Sequence, residues 1–479
     1  MSTVLGTQFS AQIIDEATRD PEVDGVDPEY KLPKRSSLVI VILSNVLMQI
    51  SFFIIVSSSS AYAEHLGGSA TFSGLVIGIP TAFSGLTLIP LMRLDQGKYT
   101  RPLHFTCCTM ALGSILYALA YRFSFLYLIL IGRMVQGLGF TFWMYSKRYC
   151  SDPRIVGIRR RTTLAGWLVL GQGIGMSLGP FAGGLLFRIG FSNRVFNGYT
   201  SPGWIMACAW LAFWVACAVW FEDVPSAPAS APAVELQPVS AAQGTEAEDK
   251  DKDKDEQDVS VEPSAEPPSS SNSTTYARPH TRLNARQWGV VACMCWFAMT
   301  CFFVLGAWES NLPVFGAATP ALHWSPYASG NFIALGGIAT FPFLLFNLFF
   351  ARRLQDRHIL ALGSGLGLVG LLVATAVLKT RAVNYGSIFV PWFLVALGFN
   401  LASTCTLSLL SKQLPDSWNG KTSLAIQYSN YTGRVTGAVW GGSGVKLGML
   451  NYVGLEIAYL GVGALMFTTL WRELKAKTG

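Results

Sequence analysis

The chain has 479 residues, of which 51% are apolar and only 13% charged, and its formal net charge is +7. A soluble domain carries about a quarter charged residues, so a water-solvated globular protein is excluded and lipid is the expected solvent for most of the surface. The basic excess then marks orientation in a membrane rather than nucleic-acid binding, because the lysines and arginines gather in short loops between apolar runs.

Residues 1–36 are polar, with acids and prolines up to Lys34-Arg35, and are expected to form a cytosolic tail without a cleavable signal peptide. Crossing a bilayer takes about twenty apolar residues. Runs of that kind lie near 37–60, 71–93, 103–121, 124–146, 164–188 and 203–221, and again near 288–313, 327–350, 359–378, 386–410, 423–446 and 452–470. Polar residues interrupt the last two most. Between the two sets, 222–286 holds Pro-Ser-Ala runs and then acids alternating with lysines from Glu246 to Asp258. Such a stretch cannot bury enough apolar surface to offset its ordering entropy, so it is expected to be a disordered cytosolic linker. The predicted fold is an all-α membrane protein of twelve transmembrane helices in two pseudo-symmetric six-helix bundles. The N-terminal bundle spans 37–221, the C-terminal bundle 287–470, and a cytosolic tail 471–479 follows.

With both ends inside, the inner loops hold Arg93, Lys98, Arg101, Lys147, Arg148, Arg154, Arg159, Arg160, Arg161, Arg352, Arg353, Arg357, Lys412 and Lys421. The outer loops hold only Arg122, Arg188, Arg194, Lys379, Arg381 and Lys446. That bias fits a cytosolic N-terminus. Eight of the nine cysteines lie inside apolar runs, where a thiol is a small apolar filler, and Cys293-Met294-Cys295 has no histidine or acid beside it. The five histidines are scattered and no P-loop exists. An enzyme, a bound cofactor, a metal site and direct coupling to ATP are therefore not expected.

The two bundles repeat each other. Gly175, Gly179 and Gly183-Gly184 in span five recur as Gly433, Gly437 and Gly441-Gly442 in span eleven. Leu138-Gly139-Phe140 in span four recurs as Leu397-Gly398-Phe399 in span ten. The offsets are 258 and 259 residues, as expected of two parallel six-span halves with a site between them near the midplane. Glycines spaced by four also leave a groove in which a second backbone can approach, and Pro180 adds a local bend.

The full string from Gly166 through Gly175, Gly179-Pro180 and Gly183-Gly184 resembles the fifth-helix antiporter motif of the major facilitator superfamily. Arg133-Met134-Val135-Gln136-Gly137 resembles that family's fourth-helix arginine motif. Asp95-Gln96-Gly97-Lys98 with Arg101 is similar to a shortened form of its gating loop between helices two and three. Tyr117 to Tyr121, Gly132-Arg133, Arg148-Tyr149 and Ser151-Asp152 look like the branch of plant vacuolar phosphate transporters and the animal lysosomal ceroid-lipofuscinosis membrane protein. The resemblance implies alternating access, a small-molecule substrate, protons as coupling ion, and the vacuolar or plasma membrane as location.

Charged and amide side chains inside spans are the candidate site. An arginine near a span centre costs roughly 2.5–3.5 kcal/mol on insertion scales, so it must face a partner or a wet cavity. Arg133 either lines a cavity or holds backbone carbonyls of a neighbouring helix. Arg434, beside Tyr428, Asn430 and Tyr431, is expected to face the cavity. Glu309, before Pro313, is expected at an interrupted, solvated helix end, with a coupling carboxyl as the other reading. Gln136, Asn45, Gln49, Gln172 and Asn400 are candidate uncharged ligands, interhelical hydrogen bonding being the default for each. Two midspan arginines favour an anionic substrate. The expected function is proton-coupled export of a small organic anion or other metabolite; a passive phosphate or chloride channel or uniporter, and a non-transporting nutrient sensor, are the alternatives.

Overall fold

The computed structural model describes residues 28–95, 97–224, 283–350, 355–414 and 418–475. Most of the expected linker and N-terminal tail, together with Gln96, Arg352 and Arg353, lies outside the described residues. Regular structure among the described residues is helical throughout. In the N-terminal half the helices are α1 (Arg35–Phe53), α2 (Ser59–His65), α3 (Ala70–Leu94), α4 (Thr100–Phe123), α5 (Leu126–Gly139), α6 (Phe142–Ser151), α7 (Ile158–Ile189) and α8 (Ser201–Trp220). In the C-terminal half they are α9 (Ala285–Ala318), α10 (Pro326–Phe350), α11 (Asp356–Lys379), α12 (Tyr385–Gln413), α13 (Asn419–Leu447) and α14 (Met449–Thr469). Local chemistry sets several boundaries. Asn284 and Asn384 form capping boxes at the starts of α9 and α12, satisfying amides that a helix start leaves without partners.

Two sequence expectations are corrected, and one helix departs from the rest in composition. The first span is not one helix over 37–60: it breaks at residues 54–58, between α1 and α2. The serine run Ser57 to Ser60 stands at this break, and serine hydroxyls offer the backbone alternatives to helix. The twelve expected spans are all present as helices among the described residues, α5 and α6 together forming the fourth, and eleven of them are apolar enough by composition alone to cross a membrane. The exception is α13, which has 29 residues but is too polar. It packs between α9 of its own half and α3 of the other, where Tyr431 and Arg434 are buried against protein. Finally, the linker does not begin at 222. Glu222 pairs with Lys34, and Asp223 accepts from the Tyr99 and Thr100 amides, each at 3.0 Å, and from the Thr100 hydroxyl at 2.7 Å. This carboxylate tethers the end of α8 to the start of α4, where it also complements the helix dipole.

The internal repeat is a repeat of packing. On α7, Gly175 lies against Gln49, Gly179 against Phe53 and Gly183 against the Ile54 carbonyl. On α13, Gly433 lies against the Met299 carbonyl, Gly437 against that of Phe303 and Gly441 against that of Ala307. Span five thus sits on span one as span eleven sits on span seven. The second glycine of each pair turns outward to the opposite half: Gly184 meets Pro326 and Tyr327, and Gly442 meets Ala70 and Gly74. Gly139 and Gly398 likewise seat their helices against α4 and α11.

The halves meet on one face. Along α3 and α13, Thr71 bonds Ser443 at 3.0 Å, Ser84 bonds Tyr431 at 3.0 Å, and the Tyr428 hydroxyl donates to the Gly85 carbonyl at 2.9 Å. Along α7 and α10, Gly184 meets Tyr327, and Gly173 meets Phe341. Among the described residues no cross-half hydrogen bond lies beyond Gly85 toward Asp95. The seal is one-sided, at the face where α3 begins and α13 ends.

Candidate functional site

Arg133 is fully buried on α5 and spends its donors on α1, α3 and its own helix. It donates to the carbonyls of Ser51 at 3.2 Å, Phe52 at 3.5 Å and Val76 at 3.2 Å, and to the Gln136 side-chain oxygen at 2.6 Å. Ser51 and Phe52 lie in the last turn of α1 before the break in span one, where a helix leaves carbonyls unsatisfied. Arg133 therefore caps the broken end of α1 and places a cation at its negative pole. Gln136 is fixed in turn by donating to Ser114 at 2.8 Å. Of the two sequence readings of Arg133, its hydrogen bonds follow the helix-holding one.

Arg434 meets a different partner. Its guanidinium forks onto the Glu309 carboxylate, one arm at 3.3 Å and the other shorter, and both residues are buried. Glu309 is thus not at a solvated, interrupted helix end. Pro313 is absorbed within the continuous helix α9, and the carboxylate stays inside because a bidentate guanidinium compensates the loss of water. The pair also touches the other half. The Arg434 guanidinium carbon lies 4.9 Å from the Phe52 ring centroid and 5.3 Å from that of Phe53. Arg133 lies 5.5 Å from the same Phe52 ring. One aromatic ring at the break of span one is therefore shared by both intramembrane arginines, one from each half, each drawn to its π-face.

The uncharged candidates are dispersed. Asn45 donates to the Leu168 carbonyl at 2.9 Å, joining α1 to α7. Asn400 donates to Ala396 on its own helix at 2.7 Å. Gln49 packs against Gly175, and Gln172 is half-buried on α7. Sequence reasoning passed over two groups. Phe52 looked like any apolar residue, and Glu456 on α14 is fully buried. An acid within an apolar run, without a base nearby, was the signal for the latter.

The loop between α3 and α4 carries a polar network despite its shortened spacing. Asp95 pairs with Arg148 at 3.2 Å and accepts from the Gly97 amide at 2.7 Å. Arg154 donates to the Gly97 carbonyl at 2.8 Å and to Asp152 at 2.6 Å, and the Tyr99 hydroxyl donates to Asp152 at 2.8 Å. Burial pushes the Asp152 carboxyl up, but the hydrogen bonds from Arg154 and Tyr99 outweigh it and hold the group below the ordinary carboxylate range.

Two helical halves, sealed on one face and touching at mid-depth where a buried ion pair of one rests on an aromatic ring of the other, are the architecture of a membrane transporter. A family model described as the Major Facilitator Superfamily matches residues 41–438. An uncharacterised MFS-type transporter of Schizosaccharomyces pombe is 29% identical, over 96% of this chain and 86% of its own. An SPX domain-containing membrane protein of Arabidopsis thaliana is 32% identical over 45% of this chain and 30% of its own, in keeping with the plant branch expected from residues 117–186. Among solved structures, a D-xylose–proton symporter superposes with a TM-score of 0.67 at 14% identity, covering 93% of this chain and 99% of that one. A POT family transporter in complex with 5-aminolevulinic acid gives 0.65 at 11% identity, covering 93% and 99%. At these identities the likeness concerns the fold alone. The chain belongs to the major facilitator superfamily.

Proposed function

We propose that this transporter is a proton-coupled carrier of a small anion, working by alternating access of its two halves. The observation that carries the reading is the Arg434–Glu309 pair, buried at the meeting of the halves and resting on Phe52 and Phe53. In the ion pair Arg434 is occupied. A proton on Glu309 leaves the guanidinium without its counter-charge, and an uncompensated charge inside a membrane protein is costly. An anion then takes the place of the carboxylate. Proton and anion load together, or neither loads.

The anionic substrate, inorganic phosphate or a small carboxylate, follows from the cationic group that is freed. Joint loading also bears on direction. The glycine string of α7 implied exchange against protons and export from the cytosol; the pair supports movement of anion and proton the same way. At a vacuolar membrane that is release toward the cytosol, and at a plasma membrane it is uptake. The vacuolar placement is supported by the plant branch that the sequence resembles.

Purified carrier in liposomes, offered labelled phosphate and a panel of small carboxylates under an imposed pH gradient, tests this reading. Accumulation is expected when the anion's side is the acidic one. Flux driven by the opposite gradient would establish exchange, and flux indifferent to the gradient would establish a channel or uniporter; either outcome overturns the proposal.

A further inference from the structure

The C-terminal half contains a second intramembrane acid that the ion pair leaves unused. Glu456 has no exposed surface. Its Oε2 accepts from the Trp308 indole at 2.9 Å, while its Oε1 has no hydrogen-bond partner. No cation is bonded to it among the described residues. From α9 it faces Trp308, whose neighbour Glu309 is committed to Arg434. On α13 the charged residues are that same Arg434 and the exposed Lys421 and Lys446. On α11 the charged and titratable residues stand at the ends, Asp356, Arg357 and His358 at one and Lys379 at the other. Along α14 the neighbouring group is Tyr452, itself fully buried, with its hydroxyl directed at the Glu456 carboxyl.

An ionised carboxylate in that setting would be an unpaired charge in the protein interior, which burial strongly disfavours. A proton on Oε1 removes the charge, whereas the Tyr452 hydroxyl, itself a donor, can satisfy the acceptor but leaves the charge without a cation. The space next to Tyr452 adds an independent observation. A cavity of about 20 Å³, lined among others by Trp308, Asn311, Tyr452 and Met449, lies there, and a water molecule needs about 10–15 Å³ of such volume. Met449, Phe315, Leu378 and Ile388 place this cavity at the ends of α14, α9, α11 and α12 on the sealed face.

From these contacts we infer that Glu456 is a proton-binding site of the C-terminal half, served from the sealed face through the cavity beside Tyr452. It rests on the proton-coupled reading only for its purpose: Trp308 ties it to the residue next to Glu309, so it is placed to hold a proton for the ion pair. No substrate is needed to detect it.

Infrared spectra of the substrate-free protein in lipid nanodiscs at neutral pH, with exchange into heavy water, report protonated carboxyls. E456Q is expected to lose one carboxyl's worth of the C=O band, and E309Q to lose none. A full band in E456Q, or its loss in E309Q, overturns the inference. Should E456Q fold poorly, W308F replaces it: losing the indole donor is expected to shift the band to higher frequency, and an unmoved band contradicts the proposal. Failure here leaves Glu309-dependent flux intact, and failure of the coupled-anion reading leaves the band intact, so the two are separable.

Discussion

The two halves share a scaffold and part company at their arginines. Arg133 has no carboxylate: backbone carbonyls and one amide take its donors, and it caps a helix that has to break there. Arg434 is held by Glu309, a partner that can accept a proton and let go. A carbonyl cannot be switched by pH and a carboxylate can, so under the proposed coupling one arginine is a fixed brace and the other a switch. The Phe52 ring lies against both, so a change of charge at the switch is felt where the brace holds span one.

This contrast predicts unequal mutants. R434A should abolish anion flux altogether. It also strands Glu309, and breaking a buried pair in this way costs about 3–5 kcal/mol; E309Q/R434A, which removes both charges, should recover most of the lost thermal stability without recovering flux. A destabilised R434A with normal flux per folded molecule would erase the distinction.

R133A removes charge-assisted bonds worth about 1.5–3 kcal/mol each before compensation. The expected result is a lower melting temperature and yield, with flux per folded molecule largely kept and its proton dependence unchanged. Loss of proton coupling in R133A at normal stability would make both arginines switches.

The glycines test whether the repeat is functional packing in both halves. A methyl group at Gly183 or Gly441 would meet a backbone carbonyl that has no room to move, and overpacking costs about 1–3 kcal/mol. G183A and G441A should be destabilised alike. G365A and G454A, where nothing lies within 4 Å, should behave as the parent protein in the same melting assay.

The smallest effect is expected in the polar network around Asp95 and Asp152. Asp152 is held below the ordinary carboxylate range, so its contribution is complete above that range and disappears as pH falls through it. Since Arg154 is partly exposed, the effect is within about 1 kcal/mol. D152N should lower the melting temperature slightly at neutral pH and lose less stability than the parent on acidification toward pH 3, a difference that parallel melts would show.

Much of the fold was legible because lipid imposes a compositional rule on every crossing. The runs of apolar residues located the helices, and the common offset of Gly175 and Gly433 located the repeat. That rule weakens where a helix packs mainly against protein, as at α13 between α9 and α3. Periodicity could not foresee the break at residues 54–58 either, because its stability comes from Arg133, some eighty positions later in the chain. The site was half legible for the same reason. Arg133, Arg434 and Glu309 stood out singly as charges in apolar runs, but the partner of each is a matter of tertiary contact. Phe52 carried no signal at all, since an aromatic in a membrane helix needs no explanation until two cations are found over it.

The measurement that bears most directly on the switch is the number of protons carried per anion, read with a pH-sensitive dye and labelled substrate in the same liposomes. The parent carrier should take up at least one proton with each anion, and E309Q should still exchange anion across the bilayer while carrying no proton with it. Protons accompanying the anion in E309Q as in the parent would contradict the account.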